Sequence, residues 1–310
     1  MNVLFHYAVA PDLAARLAAI PGLTISVCPE GDDATLFRLL PETEVLWHVL
    51  QRCTADMIAA APRLRLIQKI GVGVNTIDLD AAKARGMAVC NLPGTNARAV
   101  AELTLALMLA ALRRLPRFDA AMRQGVWSDP LLQDGLGELG GRTVGLVGYG
   151  AIPRILAPIL AAMGCRLLYT ARAPKPDALG DWCTLADLVP RSDLLSLHVP
   201  LTPETANLID ASTLARMKPG AILINTARGG LVDQAALTEA LRSGRLAAAG
   251  LDVFEAEPPE FRAPLFHLPN VVLSPHVAWI TTGTFDRSFA LAAENCRRLA
   301  AGEALLHRVV

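Results

Sequence analysis

The feature that most constrains the fold of this chain is the glycine-rich segment Val144–Gly150, which reads VGLVGYG. It overlaps an apolar, strand-like run, Thr143–Val147, and leads directly into the helix-like segment Ala151–Met163. A strand, a tight glycine turn and a helix form the unit that binds the pyrophosphate of a dinucleotide. In that unit Gly148 permits the turn, and Gly150 lets the backbone approach the phosphates at the helix amino terminus. The segment therefore predicts a dinucleotide-binding domain.

The residues expected to contact the dinucleotide at this turn are Gly148, Tyr149, Gly150, Ala151 and Ile152. The third position of the glycine fingerprint holds Pro153, where glycine or alanine is usual. Proline is tolerated in the first helical turn because no intrahelical N–H bond is lost there, although it should alter helix–strand packing. The alternative is a glycine turn in an α/β protein without a nucleotide, and the strand–turn–helix context argues against it.

Short apolar runs alternate with helix-period segments along most of the chain. Before the glycine turn the strand-like runs are Val3–Phe5, Leu23–Val27, Val45–Leu50 and Leu66–Ile70. After it they are Arg166–Tyr169, Leu194–His198, Ala221–Asn225, Ala248–Leu251 and Val271–Leu273. This alternation predicts two α/β units, each with a parallel sheet covered on both faces. The boundary is expected near Pro93–Ala97, and Arg117–Gly141 is expected to form either a projecting arm or a loop.

Composition excludes several classes of protein. The 310 residues carry no net charge and no recurrent basic patch, so nucleic acid is not expected as a partner. The most apolar helix, Val100–Leu112, is too short to span a bilayer, and the amino terminus lacks the pattern of a signal peptide. The six cysteines show no CxxC spacing, and no histidine or cysteine cluster has the spacing of metal ligands. We therefore expect a cytoplasmic protein with reduced thiols, without a membrane segment or a bound metal.

The end of the strand after the glycine turn bears on the choice between NAD and NADP. An acidic residue at this position binds the ribose hydroxyls of NAD, but here Thr170 occupies it. Arg172 and Lys175 follow, so a guanidinium is available for a 2′-phosphate. The segment favours NADP over NAD. The alternative is that these two cations belong to a solvated loop edge.

Three further segments carry a resemblance to a known family. They are INTARGGLVD (Ile224–Asp233), GLDVFEAEPP (Gly250–Pro259) and LSPHVAW (Leu273–Trp279). With LVGYG and PGTNARAVAE, they resemble the D-isomer-specific 2-hydroxyacid dehydrogenases, which include glycerate dehydrogenases and glyoxylate/hydroxypyruvate reductases. The resemblance implies two Rossmann-like, doubly wound domains with the active site in the cleft between them, and a homodimer. It assigns residues 1–96 and 284–310 to a flavodoxin-like, substrate-binding domain and residues 97–283 to the dinucleotide-binding domain.

The resemblance also implies a catalytic group of Arg228, Glu257 and His276. Arg228 would bind the substrate carboxylate and polarise the carbonyl whose oxygen gains charge as hydride arrives. His276 would give a proton to that oxygen in reduction and take it back in oxidation. Glu257 would orient the imidazole and favour its protonated form. Each residue alone has a structural interpretation, as a surface arginine, a loop acid or a loop histidine, but the three spacings together favour the catalytic one.

Further contacts follow from the same resemblance. Asp252 is expected to bind the nicotinamide carboxamide and Thr104 the pyrophosphate. The other residues expected around the cofactor are Thr170, Arg172, His198, Val199, Pro200, Thr205, Ala227 and His276. Backbone N–H groups of Val72 and Gly73 are expected to hold the substrate carboxylate, and Trp279 favours a small substrate. Independently of the resemblance, Leu50, Trp47 and His48 are expected on the loop after the third strand, where they would line the other wall of the substrate site.

The predicted function is reduction of a small 2-keto acid, or oxidation of its D-2-hydroxy acid, with NADP or NAD. A nucleotide-sensing, corepressor-like binding protein is an alternative from another class. Formate oxidation is disfavoured because those relatives pair the histidine with glutamine, and this chain has Glu257. Oxidation of phosphite and reduction of a bulkier keto acid remain open alternatives on the same fold.

Overall fold

The structure is a computed structural model that describes residues 1–310. The strands are β1 (Asn2–His6), β2 (Thr24–Cys28), β3 (Val45–His48), β4 (Leu66–Lys69), β5 (Ala88–Cys90), β6 (Thr143–Val147), β7 (Arg166–Thr170), β8 (Asp181–Trp182), β9 (Leu194–Leu197), β10 (Ala221–Asn225), β11 (Leu246–Leu251) and β12 (Val271–Leu273). The α-helices are α1 (Pro11–Ala18), α2 (Asp33–Leu39), α3 (Ala55–Ala59), α4 (Leu79–Ala84), α5 (Ala97–Arg113), α6 (Leu115–Arg123), α7 (Pro130–Gln133), α8 (Ala151–Ala162), α9 (Leu185–Leu188), α10 (Ala211–Arg216), α11 (Gln234–Arg242) and α12 (Thr282–Ala301).

The chain divides into two compact units, each with its own sheet. Unit 1 comprises Met1–Asn96 and Ile280–Val310, and unit 2 comprises Ala97–Trp279. The chain returns to unit 1 at Ile280, whereas the sequence analysis placed this return at residue 284. Both sheets are built only from parallel pairs, which confirms the predicted α/β class with two parallel sheets.

In unit 1 the strand order is β2-β1-β3-β4-β5, the flavodoxin-like order. Leu4 and Leu46 pack on one face of the sheet in a cluster that also holds Leu36 of α2. Phe5 and Trp47 alternate with them and therefore face the other way, where Phe289 of α12 lies with its ring centre 5.6 Å from each of their rings. Helices thus cover both faces of this sheet.

The placement of Trp47 and His48 corrects the sequence analysis, which put both on a loop beside the substrate. Both are residues of β3 with no exposed surface. The predicted strand Val45–Leu50 ends at His48 in the structure, so Trp47 and His48 belong to the strand and not to the loop that follows it. Of the three residues expected to line that wall, only Leu50 lies beyond the strand, where it is half-buried.

In unit 2 the strand order is β12-β11-β10-β9-β6-β7-β8. Alternate residues of its central strands belong to two separate clusters. Ile222 and Ile224 of β10 pack with residues of α5 and α8, whereas Ala221 and Leu223 pack with residues of α10 and α11. The sheet is therefore buried on both faces, which explains why its strands read as nearly continuous apolar runs.

The order of the strands reverses between β6 and β9, which are neighbours in the sheet although β7 and β8 lie between them in the chain. The loops at the carboxyl ends of parallel strands diverge at such a switch point and leave a crevice where ligands bind. The segments after β6, β9, β10, β11 and β12 all leave this same edge. They contain the glycine turn, His198, Arg228, Asp252 and His276 in that order.

Two parts of the chain differ from what the sequence indicated. The strands β5 and β8 were not recognised, because three and two residues are too short for a periodic pattern. The segment Arg117–Gly141 is not a simple loop, since it contains most of α6 and all of α7. No helix in the structure combines the length and apolar character needed to cross a membrane.

Candidate active site

The structure itself requires glycine at position 148 of the dinucleotide turn but not at position 150. Gly148 has a φ of +98°, and a side-chain carbon there would lie 2.6 Å from the His198 carbonyl oxygen. Only glycine fits both restrictions. Gly150 has a φ of −94°, and a side-chain carbon there would meet no atom within 4 Å. Since the protein itself does not require this second glycine, the open space beside it fits the close approach of a bound phosphate.

Helix α8 begins directly at this open space, with Gly150 as its N-cap and without a capping side chain. Ala151 and Ile152 form its first turn, whose N–H groups have no intrahelical partner. Pro153 follows them and is buried. Its missing N–H costs no helical bond there, so the departure from the glycine fingerprint leaves the amino terminus able to receive an anion.

Two tyrosines connect the glycine turn to the loop after β7. The Tyr149 hydroxyl accepts a hydrogen bond from Leu179 N at 2.8 Å, and the Tyr169 hydroxyl accepts one from Lys175 N at 2.7 Å. Their ring centres lie 4.6 Å apart. The Tyr149 side chain is therefore occupied within the protein, so that only its backbone remains available for the predicted cofactor contact.

Thr170 is the last residue of β7 and is half-buried. Arg172 lies two residues further on, is exposed and forms no ion pair with an acidic side chain. Asp177, an acidic side chain of this loop, pairs instead with Arg154 of α8. The guanidinium of Arg172 therefore has no internal partner that would compete with an anionic ligand.

Arg228 follows β10 in a turn that Asn225 holds from both sides. The Asn225 side chain accepts from Ala227 N at 3.0 Å and donates to the Arg228 carbonyl at 2.9 Å. Gly229 permits this turn to pack on the segment after β11, because a side-chain carbon there would lie 1.9 Å from the Phe254 carbonyl. Burial lowers the pKa of Arg228, while the negative charge of Glu257 opposes that shift. Arg228 is half-buried, and a half-buried guanidinium interacts with an anion more strongly than one in open water.

Glu257 and His276 form a carboxylate–imidazole pair at the site. Glu257 Oε2 lies 2.6 Å from His276 Nδ1, and Glu257 Oε1 accepts from Phe254 N at 3.0 Å. Burial alone would raise the pKa of Glu257, but the hydrogen bond and charge of His276, the Phe254 N–H and the charge of Arg228 together lower it. The carboxylate is therefore ionised at neutral pH. Since it occupies Nδ1, the other ring nitrogen, Nε2, is the one available to a substrate.

Asp252 holds the loop that carries His276. Its carboxylate accepts from the Ser274 hydroxyl at 2.6 Å and from the backbone N–H groups of Val277 and Ala278 at 2.9 Å each. Its carbonyl accepts from His276 N at 2.7 Å. His276 has a φ of +54°, a strained conformation for this residue that persists only where the surroundings impose it. Burial raises the pKa of Asp252, and these hydrogen bonds oppose the shift.

Arg228, Glu257 and His276 lie together in the structure. The side chains of two residues predicted to contact the cofactor, Thr104 and Asp252, already form hydrogen bonds within the chain. Thr104 has no exposed surface, and its hydroxyl donates to the Val100 carbonyl and lies 2.9 Å from the Thr226 hydroxyl. Asp252 likewise has no exposed surface. Direct contacts of Thr104 with pyrophosphate and of Asp252 with nicotinamide stay predictions.

The loop after β9 lies beside the glycine turn through the contact between the His198 carbonyl and Gly148. Burial lowers the pKa of His198 to about 3, so its imidazole is uncharged at neutral pH. In the same loop the Thr205 hydroxyl donates to the Pro200 carbonyl at 2.7 Å and accepts from Thr202 N at 2.8 Å. These bonds shape the loop, while its cofactor contacts, including those of Val199 and Ala227, stay predictions.

The predicted substrate residues lie in both units. In unit 1, Asn91 Nδ2 donates to the Val72 carbonyl at 2.9 Å, and the N–H groups of Val72 and Gly73 donate to no acceptor in the chain. In unit 2, Trp279 is buried, and its ring N–H donates to the His276 carbonyl at 3.1 Å. Trp279 therefore supports the histidine loop, and its contact with a substrate stays a prediction.

Asn225 and Ser274 are the site residues that the sequence analysis missed. Each is a polar residue directly at or after the carboxyl end of a strand, and each lies within three residues of Arg228 or His276. A polar residue in that position, within a motif already identified, was the signal that could have found them.

Replacing Asp252 with asparagine should loosen the histidine loop even without cofactor. The amide nitrogen that replaces one carboxylate oxygen would face a backbone N–H or the Ser274 hydroxyl, so that one or more of three hydrogen bonds is lost. We expect a loss of about 1–3 kcal/mol in the free energy of unfolding, together with lower turnover. Denaturant unfolding of the cofactor-free protein measures it. Unchanged stability with altered cofactor binding would instead favour a direct contact with the nicotinamide.

A dinucleotide turn at the switch point of a parallel sheet and an arginine–glutamate–histidine group at the same edge define a nucleotide-binding α/β protein with an acid–base site. The chain belongs to the D-isomer specific 2-hydroxyacid dehydrogenase family. The model of that family's NAD binding domain matches residues 105–278. The resemblance found in the sequence is thereby confirmed. No group of three or more His, Cys, Asp or Glu side chains is placed to hold a metal ion.

Similar proteins carry several names within this family. The chain is 41% identical over 304 residues to D-3-phosphoglycerate dehydrogenase of Mycobacterium leprae, covering 95% of this chain but only 57% of that protein. It is 42% identical over 280 residues to glyoxylate reductase of Aeropyrum pernix, covering 87% and 83% of the two chains. The crystal structure of the TT0316 protein from Thermus thermophilus superposes with a TM-score of 0.91, at 40% identity and with 100% of both chains covered.

Proposed function

We propose that this protein is an oxidoreductase that interconverts a small 2-keto acid, such as glyoxylate or hydroxypyruvate, and the corresponding 2-hydroxy acid, which has the D configuration where the hydroxyl-bearing carbon is chiral. The observation that carries the proposal is the group formed by Arg228 and the Glu257–His276 pair, 2.6 Å between Oε2 and Nδ1, at the sheet edge that holds the glycine turn. A nicotinamide cofactor supplies the hydride when bound. The space at Gly150 and the uncapped amino terminus of α8 fit its pyrophosphate.

In this proposal, residues of the chain bind the substrate, stabilise the developing charge and transfer the proton. Arg228 binds the substrate carboxylate and stabilises the negative charge that grows on the carbonyl oxygen. His276 donates a proton from Nε2 to that oxygen during reduction, and the ionised Glu257 stabilises the charged imidazole and sets its orientation. The N–H groups of Val72 and Gly73 donate to no acceptor in the chain, which supports their proposed role as further donors to the carboxylate.

Turnover of a panel of 2-keto acids with NADH and NADPH tests this function. The panel contains glyoxylate, hydroxypyruvate, pyruvate, a bulkier aromatic keto acid and 3-phosphohydroxypyruvate, the keto acid expected from the name of the mycobacterial relative. The largest kcat/KM is expected for glyoxylate or hydroxypyruvate. A preference for the phosphorylated acid would overturn the substrate proposal alone, whereas cofactor binding without turnover of any acid would favour the corepressor-like alternative.

We propose further that NADPH is the preferred cofactor, which the end of β7 supports. Threonine at position 170 cannot accept both ribose hydroxyls as a carboxylate would, and Arg172 is exposed without an acidic partner. Lys175 adds a second cation to the same loop, whose backbone is held by the tyrosine hydroxyls.

Replacing Arg172 with alanine should reduce the ratio of kcat/KM for NADPH to that for NADH by roughly tenfold to a hundredfold, since a charge-assisted hydrogen bond contributes about 1.5–3 kcal/mol. Both cofactors are compared on one keto acid at fixed ionic strength. Arg166→Ala is the matched control, because Arg166 is an exposed arginine at the opposite end of the same strand. A wild-type preference for NADH would overturn the NADP proposal and leave the dehydrogenase proposal intact.

We also propose that the protein acts in the cytoplasm as a homodimer. All six cysteines are free, and most are buried, which suits a reducing compartment. The segment that contains α6 and α7 exposes several large apolar side chains, including Leu115, Trp127 and Leu131, which are 62%, 85% and 83% exposed. A cluster of this kind supports an interface with a second copy of the chain.

A further inference from the structure

Unit 2 contains a cavity at the sheet edge opposite to the candidate active site. It has a volume of about 120 Å³. Its lining includes Gly220 and Asn270, which directly precede β10 and β12, and Arg142, which directly precedes β6. These residues lie at the amino ends of strands whose carboxyl ends lead to Arg228, His276 and the glycine turn. With five residues in β10, the two edges are separated by about 16 Å along the strand.

The lining of this cavity is strongly cationic. Arg114, Arg117 and Arg142 all contribute to it, and no aspartate or glutamate does. None of these three arginines forms an ion pair. The charge of Arg142 contributes to lowering the pKa of Asp193, but the Asp193 carboxylate already forms an ion pair with Lys218 at 2.8 Å. The three positive charges around the cavity are therefore not neutralised within the chain.

The guanidinium groups retain donors that the protein does not use. Arg114 Nη1 donates to the carbonyls of Leu131 and Leu132 at 3.1 Å each, and Arg142 Nε donates to the Glu138 carbonyl at 2.7 Å. These bonds hold the two side chains in place and leave the Nη2 of Arg114 and both Nη atoms of Arg142 without a partner. The guanidinium of Arg117 makes no hydrogen bond within the chain.

Two glycines make room for this arrangement. A side-chain carbon at Gly137 would lie 2.5 Å from Arg142 Nη2, and one at Gly135 would lie 3.5 Å from Arg114 Nη2. Gly137 has no positive φ, so its backbone conformation does not require glycine. What requires glycine there is the position of the Arg142 guanidinium, together with Leu112 at 2.9 Å.

We propose that this cavity is a binding site for a phosphate group, either as inorganic phosphate or as a phosphate ester. The guanidinium groups of Arg114 and Arg142 are held in place and present donors that match the oxygens of phosphate. A doubly charged anion also relieves the repulsion among the three unneutralised cations. The volume corresponds to roughly four water molecules, which is sufficient for a tetrahedral oxyanion. The site is separate from the proposed reaction, because it lies at the other edge of the sheet.

Calorimetric titration with inorganic phosphate, at constant ionic strength and with saturating NADP⁺, tests this site in the full chain. Saturable binding is expected, and it should persist in Arg228→Ala, which removes the anion-binding side chain proposed for the active site. Arg117→Gln and Arg142→Gln should each weaken it about tenfold or more. Arg117→Gln is informative even if Arg142→Gln impairs folding, because no internal bond of the Arg117 guanidinium is lost. Arg113→Gln, an exposed arginine on the last turn of α5, should leave it unchanged.

Titration with glycerol 3-phosphate shows whether the site prefers a phosphate ester to inorganic phosphate. Binding of inorganic phosphate or of glycerol 3-phosphate that depends on Arg117 and Arg142 supports the site. Four results would overturn it. They are no saturable binding, loss of binding in Arg228→Ala alone, equal weakening in Arg113→Gln, and binding that disappears as protein concentration rises and the chain self-associates. The last would show that a second copy, and not a phosphate, occupies the cavity.

Discussion

Replacing Arg228 with alanine is expected to lower kcat by about a hundredfold to a thousandfold, with nucleotide binding retained. Loss of one donor that stabilises a developing oxyanion costs roughly 2.7–4 kcal/mol in the barrier, and Arg228 is proposed to bind the substrate carboxylate as well. Burial strengthens both interactions, since the guanidinium acts in surroundings of low dielectric constant. Steady-state rates with the best keto acid, together with a titration of NADPH fluorescence, separate catalysis from cofactor binding.

The matched control for this prediction is Arg216→Ala, an exposed arginine in α10 of the same unit. It should leave both kcat and nucleotide binding unchanged. Thermal unfolding of the Arg228→Ala variant shows whether the turn held by Asn225 survives. A folded Arg228→Ala variant with rates near wild type would remove Arg228 from the proposed site.

Replacing Glu257 with glutamine is expected to move the pH dependence of reduction to lower pH. Reduction requires His276 to carry a proton, so activity falls as pH rises and that proton is lost. The pKa of Glu257 is lowered by its interaction with protonated His276, against the effect of burial, which means that the ionised carboxylate and the protonated ring stabilise each other. Glutamine is neutral and removes this mutual stabilisation, so the fall in reduction activity should move to lower pH.

The profile of kcat/KM against pH in the direction of reduction measures this shift. At acidic pH the variant should retain a larger share of the wild-type activity than it does at neutral pH. His276→Asn is the companion variant, and it should lose activity across the whole range because no proton donor remains. Glu255→Gln, an exposed acid two residues away, is the control and should keep the wild-type profile. An unshifted profile for Glu257→Gln would show that the carboxylate and the ring are not coupled.

Local patterns in the sequence were sufficient to predict the class of fold and the edge of the sheet that carries the site. Gly148 and Gly150 follow an apolar strand and precede a helix, and that order has few structural outcomes. Alternating strands and helices predict parallel sheets, and parallel strands bring their carboxyl ends to one edge. The segments that contain Arg228, Glu257 and His276 follow successive strands of that sheet, so their proximity followed once the strands were recognised.

Sequence patterns alone were therefore sufficient to predict the two parallel sheets, the dinucleotide turn and the types of side chain at the site. Which polar groups those side chains bond to depends on contacts that form only when the chain folds. The Asp252 carboxylate accepts from groups 22–26 residues further along the chain, and the Thr104 hydroxyl meets Thr226, 122 residues away. Local periodicity contains no information about hydrogen bonds over such separations. The same holds for Trp47, since a residue at the end of an apolar run can lie in a strand or in the loop beyond it, and packing against Phe289 decided the outcome.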